Sequence, residues 1–231
     1  MVTARIFRPV AGLARQDLDR INDVDNDDEA GRNDGARRHK EKMARRKAVQ
    51  DAEVASKTIE KGLLIVNTGP GKGKSTAAFG LALRMLGHGR RVGVVQFIKG
   101  AWSTGEQKAL QRFDDLVTWR SMGEGFTWET QDRDRDVAAA ARAWETACAM
   151  MDDPANSLVI LDELNIALRY DYLDLAAVVA RLQARRPDLH VVVTGRNAKP
   201  EMLAAADLVT EMGAVKHHFA AGVKAQQGVE F

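Results

Sequence analysis

Asn67-Thr68-Gly69-Pro70-Gly71-Lys72-Gly73-Lys74-Ser75-Thr76 is the stretch on which the reading of this chain turns. A short apolar run, Leu63-Leu64-Ile65-Val66, leads into it. A helix-patterned stretch from Ala77 to Met85 leaves it and closes near Gly87 and Gly89. A strand, a glycine-rich turn and a helix opening on Lys-Ser form the context a phosphate-binding loop requires. Phosphate oxygens must come close to backbone N–H groups, and side chains at Gly69, Gly71 and Gly73 would obstruct them. The helix N-terminus adds partial positive charge. Lys74 supplies a full charge and Lys72 a second, while Ser75 offers a hydroxyl to a magnesium ion. The loop is one residue tight: where the first glycine is expected stands Thr68, and Gly69 follows it.

Outward from the loop, apolar runs recur at Val92–Val95, Leu116–Trp119, Leu158–Leu161, Val191–Val193 and Leu208–Val209. The runs do not alternate with polar residues, so they predict strands buried on both faces of a parallel sheet. Helical patterns separate them. Val137, Ala141, Trp144, Cys148 and Met151 line one face by spacing, as do Leu175, Val178, Val179 and Leu182 before Pro187. The expected fold is α/β: a doubly wound, mainly parallel sheet of about six strands, P-loop NTPase-like, with an N-terminal helix extension and ligands at the carboxyl ends of the strands.

The expected organisation has three parts: an extension over 1–35, a basic helix over 36–60 and a catalytic domain over 61–231. Asp17, Asp19, Asp23, Asp25, Asp27, Asp28 and Glu29 face only Arg20 in a segment with few large apolar residues, which predicts disorder. A later start codon would also explain this segment. Seven basic residues then crowd between Arg37 and Lys47, opposed by Glu41 alone. With Ala44, Ala48, Ala52 and Ala55 they make a helix with a thin small-residue stripe. It reads equally as a solvated basic face and as a lid over an anionic ligand.

The chain has 231 residues, 45% hydrophobic and 29% charged, with a net charge of +2, as expected of a soluble globule with no nucleic-acid partner. The lone Cys148 cannot form an internal disulfide and fits a reducing cytoplasm. No apolar run approaches the roughly 20 residues of a membrane helix. Neither does an apolar stretch follow Arg5 and Arg8 as a signal peptide demands. His39, His88, His190 and His218 show no metal-ligand spacing, and Cys148 sits on an apolar helix face as a core residue.

Leu158-Val159-Ile160-Leu161-Asp162-Glu163 places two carboxylates where a buried strand ends. They can hold Mg²⁺ or its waters beside the phosphate loop, although Asp162 could also serve simply as a helix cap. Taken together, these elements make a nucleoside triphosphate site with Mg²⁺, for which phosphoryl transfer is the default reaction.

Further stretches match one family as a set: GLLIVNTGPGKGKST, GHGRRVGVVQFIKG, GFTWETQ, VILDE, RYDYL, VVVTGR, ADLVTEM and KHHFAAGVKAQQGVEF. In this order they resemble the P-loop corrinoid adenosyltransferases (cob(I)alamin adenosyltransferases), from about Arg37 to Phe231. The resemblance implies transfer of the 5′-deoxyadenosyl group of ATP to the Co(I) of a corrinoid, with intact triphosphate leaving. It also implies a nucleotide held in the opposite sense to that of ordinary P-loop enzymes, so that carbon 5′ faces the nucleophile. The family's Gly-x-Gly-Lys-Gly-Lys-Thr/Ser loop is matched by Gly69 to Ser75, with Pro70 in place of the usual Asn or Asp. Proline has no N–H, so one loop contact is lost or made through water.

On this resemblance Gly69, Pro70, Gly71, Lys72, Gly73, Lys74, Ser75 and Thr76 surround the triphosphate, and Lys74 acts in catalysis. Ser75, Asp162 and Glu163 hold Mg²⁺ or Mn²⁺. Phe126 and Trp128 match a pair that closes the corrinoid's lower axial face, on a segment to which the preceding Gly123 and Gly125 would give mobility; composition alone reads them as core aromatics. Glu106 matches a position contacting ribose or metal. Arg196 serves an anion contact or a surface ion pair, and His217 with Lys216 a structural or a ligand role. A reduced flavoprotein donor and a homodimer are further implications, and the basic helix falls where the family has an active-site cover.

Two other readings compete with this one. A P-loop ATPase or phosphotransferase would release ADP. A nucleotide-gated module using its basic segment on RNA would bind in a salt-sensitive way, against which the near-neutral charge counts.

Overall fold

The computed structural model describes residues 29–98, 104–113, 115–122 and 132–230, with side chains from residue 35 onward except residue 36. The chain divides into two units, Met1–Ile59 and Glu60–Phe231. In the first, α1 spans Glu29–Ala55 and carries the i, i+4 ion pair Lys47–Asp51 at 2.5 Å. The helix thus takes in residues 29–35, which composition had assigned to a disordered extension. Adding turns to a helix already nucleated by the basic run costs far less than starting one, which offsets the poor propensity of Gly31 and Gly35. Residues 1–28 lie outside the described residues.

The second unit alternates strand and helix. It runs β1 (Leu64–Thr68), α2 (Lys74–Gly87), β2 (Arg91–Gln96), α3 (Gly105–Leu110), β3 (Val117–Ser121), α4 (Arg133–Asp152), β4 (Asn156–Asp162), α5 (Leu164–Arg169), α6 (Leu175–Gln183), β5 (His190–Thr194), α7 (Pro200–Ala205) and β6 (Leu208–Glu211). The sheet has six strands in the order β3-β2-β4-β5-β1-β6, and every neighbouring pair is parallel. Local chemistry sets the helix ends. Asp132 and Asp174 accept the amides of Arg135 and Ala177 at the starts of α4 and α6, and Pro200 opens α7. Gly89, at φ 66°, ends the turn after α2, where Arg90 N–H returns to Met85 O at 3.0 Å.

Strand parity sorts the core into two layers. Leu64, Val66, Val159, Leu161, Val191 and Val193 face α4, α6 and α7. Ile65, Val92, Val94, Leu158, Ile160 and Val192 face α2. The buried face of α4 is rotated from the expected one. Ala140, Ala143, Ala147, Met150 and Met151 are buried, while Trp144 and Cys148 pack at its flank. Alanines let the helix lie close to the sheet: a side chain at Gly93 would come within 3.0 Å of Met150 Sδ. Edge strand β6 is exposed throughout.

Candidate active site

The strand order brings the carboxyl ends of β4, β5 and β1 side by side, and the three segments leaving them build the site. The tightness of the loop has a structural cause. Thr68 is the last residue of β1, paired with Glu211; its carbonyl accepts Met212 N–H at 2.9 Å and its hydroxyl accepts Ala198 N–H at 3.1 Å. Pairing with β6 therefore runs one residue further, and the loop proper begins at Gly69. A Cβ on Gly69 would lie 2.5 Å from Met212 O, and one on Gly71 2.5 Å from Gly213 O. Gly71 N–H donates to Met212 O at 2.6 Å. The first two loop glycines are thus required by the backbone leaving β6. Pro70 has no N–H and that of Gly71 is used, while the turn at Gly73, φ 104°, leads into the first-turn amides of α2, which helix geometry leaves as donors for an anion.

Lys74 is buried, and its ammonium donates to Gly69 O at 3.0 Å and to Gly71 O. Burial lowers its pKa; the charge of Glu163 opposes the shift, and those of Arg196 and Lys72 add to it. Lys72 is exposed and pairs with the nearly buried carboxylate of Glu230, whose other oxygen lies 3.0 Å from His218 Nε2. No sequence signal marked Glu230, because 158 residues separate it from Lys72.

Asp162 ends β4 with both oxygens engaged: Oδ1 accepts Thr194 Oγ1–H at 2.8 Å and Oδ2 accepts Gln96 Nε2–H at 3.1 Å. It does not cap α5. Glu163 occupies that position, in left-handed backbone at φ 61°, with its amide donating to Thr194 Oγ1 at 2.9 Å. Burial first, and then the charge of Asp162, push the Glu163 carboxyl up to about 7, against the pull of Lys74 and Arg196. Gly195, at φ 126°, leaves room for this carboxylate, since a Cβ there would stand 3.1 Å from Glu163 Oε2 and 2.9 Å from Asn165 Cβ.

Ser75 and Thr76 lie in the first turn of α2, half-buried and exposed respectively. Arg196 is exposed after β5, and its charge reaches both Lys74 and Glu163. Glu106 lies in the first turn of α3, on the segment that follows β2. His217 caps a short 3₁₀ turn, accepting Phe219 N–H at 3.2 Å, and stacks on His218; Lys216 is exposed. Phe126 and Trp128, with Gly123 and Gly125, lie outside the described residues. Among the described residues no three His, Cys, Asp or Glu side chains could cage a metal. A hard cation that shares one or two carboxylates and a hydroxyl with phosphate oxygens needs no such cage. The donor set therefore fits Mg²⁺.

Comparison with known proteins agrees with this geometry. Residues 60–231 match the family described as ATP:corrinoid adenosyltransferase BtuR/CobO/CobP, and residues 26–54 match cob(I)alamin adenosyltransferase N terminal. A corrinoid adenosyltransferase of Pseudomonas aeruginosa is 59% identical over 84% of this chain and 96% of its own. One of Sinorhizobium is 58% identical over 84% and 92%. The corrinoid adenosyltransferase CobA of Salmonella typhimurium is 46% identical over 84% and 98%.

Proposed function

Because the chain belongs to the ATP:corrinoid adenosyltransferase family, we propose that the site at the ends of β1, β4 and β5 carries ATP-dependent adenosylation of a corrinoid, with the following division of labour. The observation supporting it is the convergence of Lys74, the Asp162–Glu163 pair and Arg196, which interact electrostatically across three separate strand ends.

Lys74, Lys72 and the first-turn amides of α2 bind the triphosphate, with Gly69, Pro70, Gly71, Gly73 and Thr76 shaping the loop. Ser75 and Glu163, with Asp162 in support, would hold Mg²⁺ or Mn²⁺, which when bound adds positive charge against the leaving phosphates. Arg196 contacts an anionic group, and Glu106 the ribose or metal. The corrinoid's Co(I) is the nucleophile: a cobalt–carbon bond forms at C5′ of ATP as the C5′–O bond breaks, and triphosphate leaves with that electron pair. No protein general base is needed, so the chain's work is positioning and electrostatic stabilisation of the leaving group. Phe126 and Trp128 fill the corrinoid's lower face with rings that offer cobalt no lone pair. A reduced flavoprotein supplies the electron, the enzyme acts as a homodimer, and it works in the cytoplasm. Among the described residues no helix is long and apolar enough to cross a membrane.

The decisive experiment mixes purified protein with ATP, Mg²⁺ and chemically reduced corrinoid. The expected products are a light-sensitive alkyl-cobalt spectrum and free triphosphate. Release of ADP without a cobalt–carbon bond would replace this reading with that of an ATPase or phosphotransferase.

A further inference from the structure

The strands end in a row of polar residues that crosses the sheet. By register Ser121 stands beside Gln96, Gln96 beside Asp162, and Asn67 beside Thr194. Strand parity puts all five on the face covered by α2, one step beyond the apolar layer of Trp119, Val94, Ile160, Val192 and Ile65. The side chains are joined as well as aligned. Trp119 Nε1 donates to Gln96 Oε1 at 3.2 Å and to Ser121 Oγ at 3.1 Å, and Ser121 Oγ donates to Gln96 Oε1 at 2.8 Å. Gln96 Nε2 then donates to Asp162, and Thr194 holds the opposite oxygen. Asn67 Nδ2 donates to Lys74 O at 3.2 Å, which ties the row to the start of α2.

The orientation of Gln96 follows from hydrogen-bond chemistry. An indole N–H can only donate, so the amide face toward Trp119 must be the oxygen, and the NH₂ must face Asp162. Trp119 is itself fixed by Phe79 of α2, ring centroids 5.2 Å apart. Gln96 is therefore a donor whose aim is set from behind by groups buried in the core. Its backbone carbonyl accepts Met122 N–H at 3.0 Å, where the chain leaves β3.

We propose that Gln96 is a positioning residue for the metal–nucleotide complex. The relay Trp119–Ser121–Gln96 fixes the Asp162 carboxylate in the orientation it presents to the divalent cation. The proposal rests on the reading of Asp162 as part of the metal site. Partners that orient a metal carboxylate are typically worth about tenfold to a hundredfold in metal affinity.

The test titrates Mn²⁺ into the protein–ATP complex, following the electron paramagnetic resonance signal of free Mn²⁺. ATP affinity without metal and the thermal unfolding midpoint are measured alongside. Asp162→Asn should weaken Mn²⁺ binding strongly. Gln96→Ala should weaken it about tenfold with metal-free ATP affinity unchanged. The double variant Trp119→Phe/Ser121→Ala, which removes the donors behind Gln96 and leaves Gln96 in place, should reproduce part of that loss even if Gln96→Ala fails to fold. Thr194→Ser, which keeps the hydroxyl, should bind as the parent does. If Asp162→Asn weakens Mn²⁺ binding while a folded Gln96→Ala or the double variant stays within twofold of the parent, the relay is refuted and the metal site stands. Unchanged binding in Asp162→Asn overturns both.

Discussion

Lys74 donates its ammonium to Gly69 O and Gly71 O, so the lysine braces the loop proposed to bind the phosphates. Lys74→Ala should lower turnover roughly 10²-fold or more, on the scale of losing one key electrostatic donor. A steady-state assay with the unfolding midpoint alongside checks this; unchanged turnover would remove Lys74 from the mechanism. Glu163 gives a pH dependence whose sign can be worked out. Burial pushes its carboxyl up to about 7, and it would have to be ionised to meet a cation, so below that pH binding would first release a proton. Metal–nucleotide affinity should therefore rise with pH up to about 7 and flatten above it. Glu163→Gln, which cannot ionise, isolates the share contributed by the nucleotide's own titration. A wild-type profile parallel to that of the variant would refute the assignment. The two carboxylates were legible in the sequence as the end of an apolar run. Their separate duties were not, because these depend on Thr194 and Gln96 from neighbouring strands.

The phosphate loop, the element that decided the fold, is only half explained by its own sequence. Its glycines read as room for phosphate, yet two of them also admit the Met212–Gly213 backbone, which no local pattern around residue 70 reveals. Gly71→Ala would drive a Cβ into backbone that cannot rotate away, with the nearest atom 2.5 Å off. The expected cost is about 1–3 kcal/mol of stability together with weakened ATP binding, read by denaturant unfolding and nucleotide titration. A fully stable variant would show that β6 and the loop move apart freely. The strands were plain in the apolar runs, whereas the buried face of α4 was not. Spacing favoured Trp144 and Cys148, while close approach to the sheet selected the alanines beside them.

Over the whole molecule, the chain's last residues return to its first loop, where Glu230 neutralises Lys72. The pair is partly exposed, and such pairs are worth little, so Glu230→Gln should tighten ATP binding by about two- to fivefold as Lys72 is released. Calorimetry decides it, and weaker binding would mean that Glu230 instead orients Lys72 for the phosphates. Deleting residues 1–57, which carry α1, should impair corrinoid binding and leave ATP affinity largely intact. Equal turnover by the shortened protein would show that the segment has no part in the reaction. The amino-acid sequence by itself determined the parallel α/β architecture, the phosphate loop, the carboxylate pair and the family. Each is written in contiguous residues, where apolar runs, glycines and charges act on their near neighbours. Only the tertiary structure decided why the loop is tight, which donors aim Asp162, and which anion meets Lys72. Those contacts join residues far apart in the chain, whose pairing is set by strand order and register.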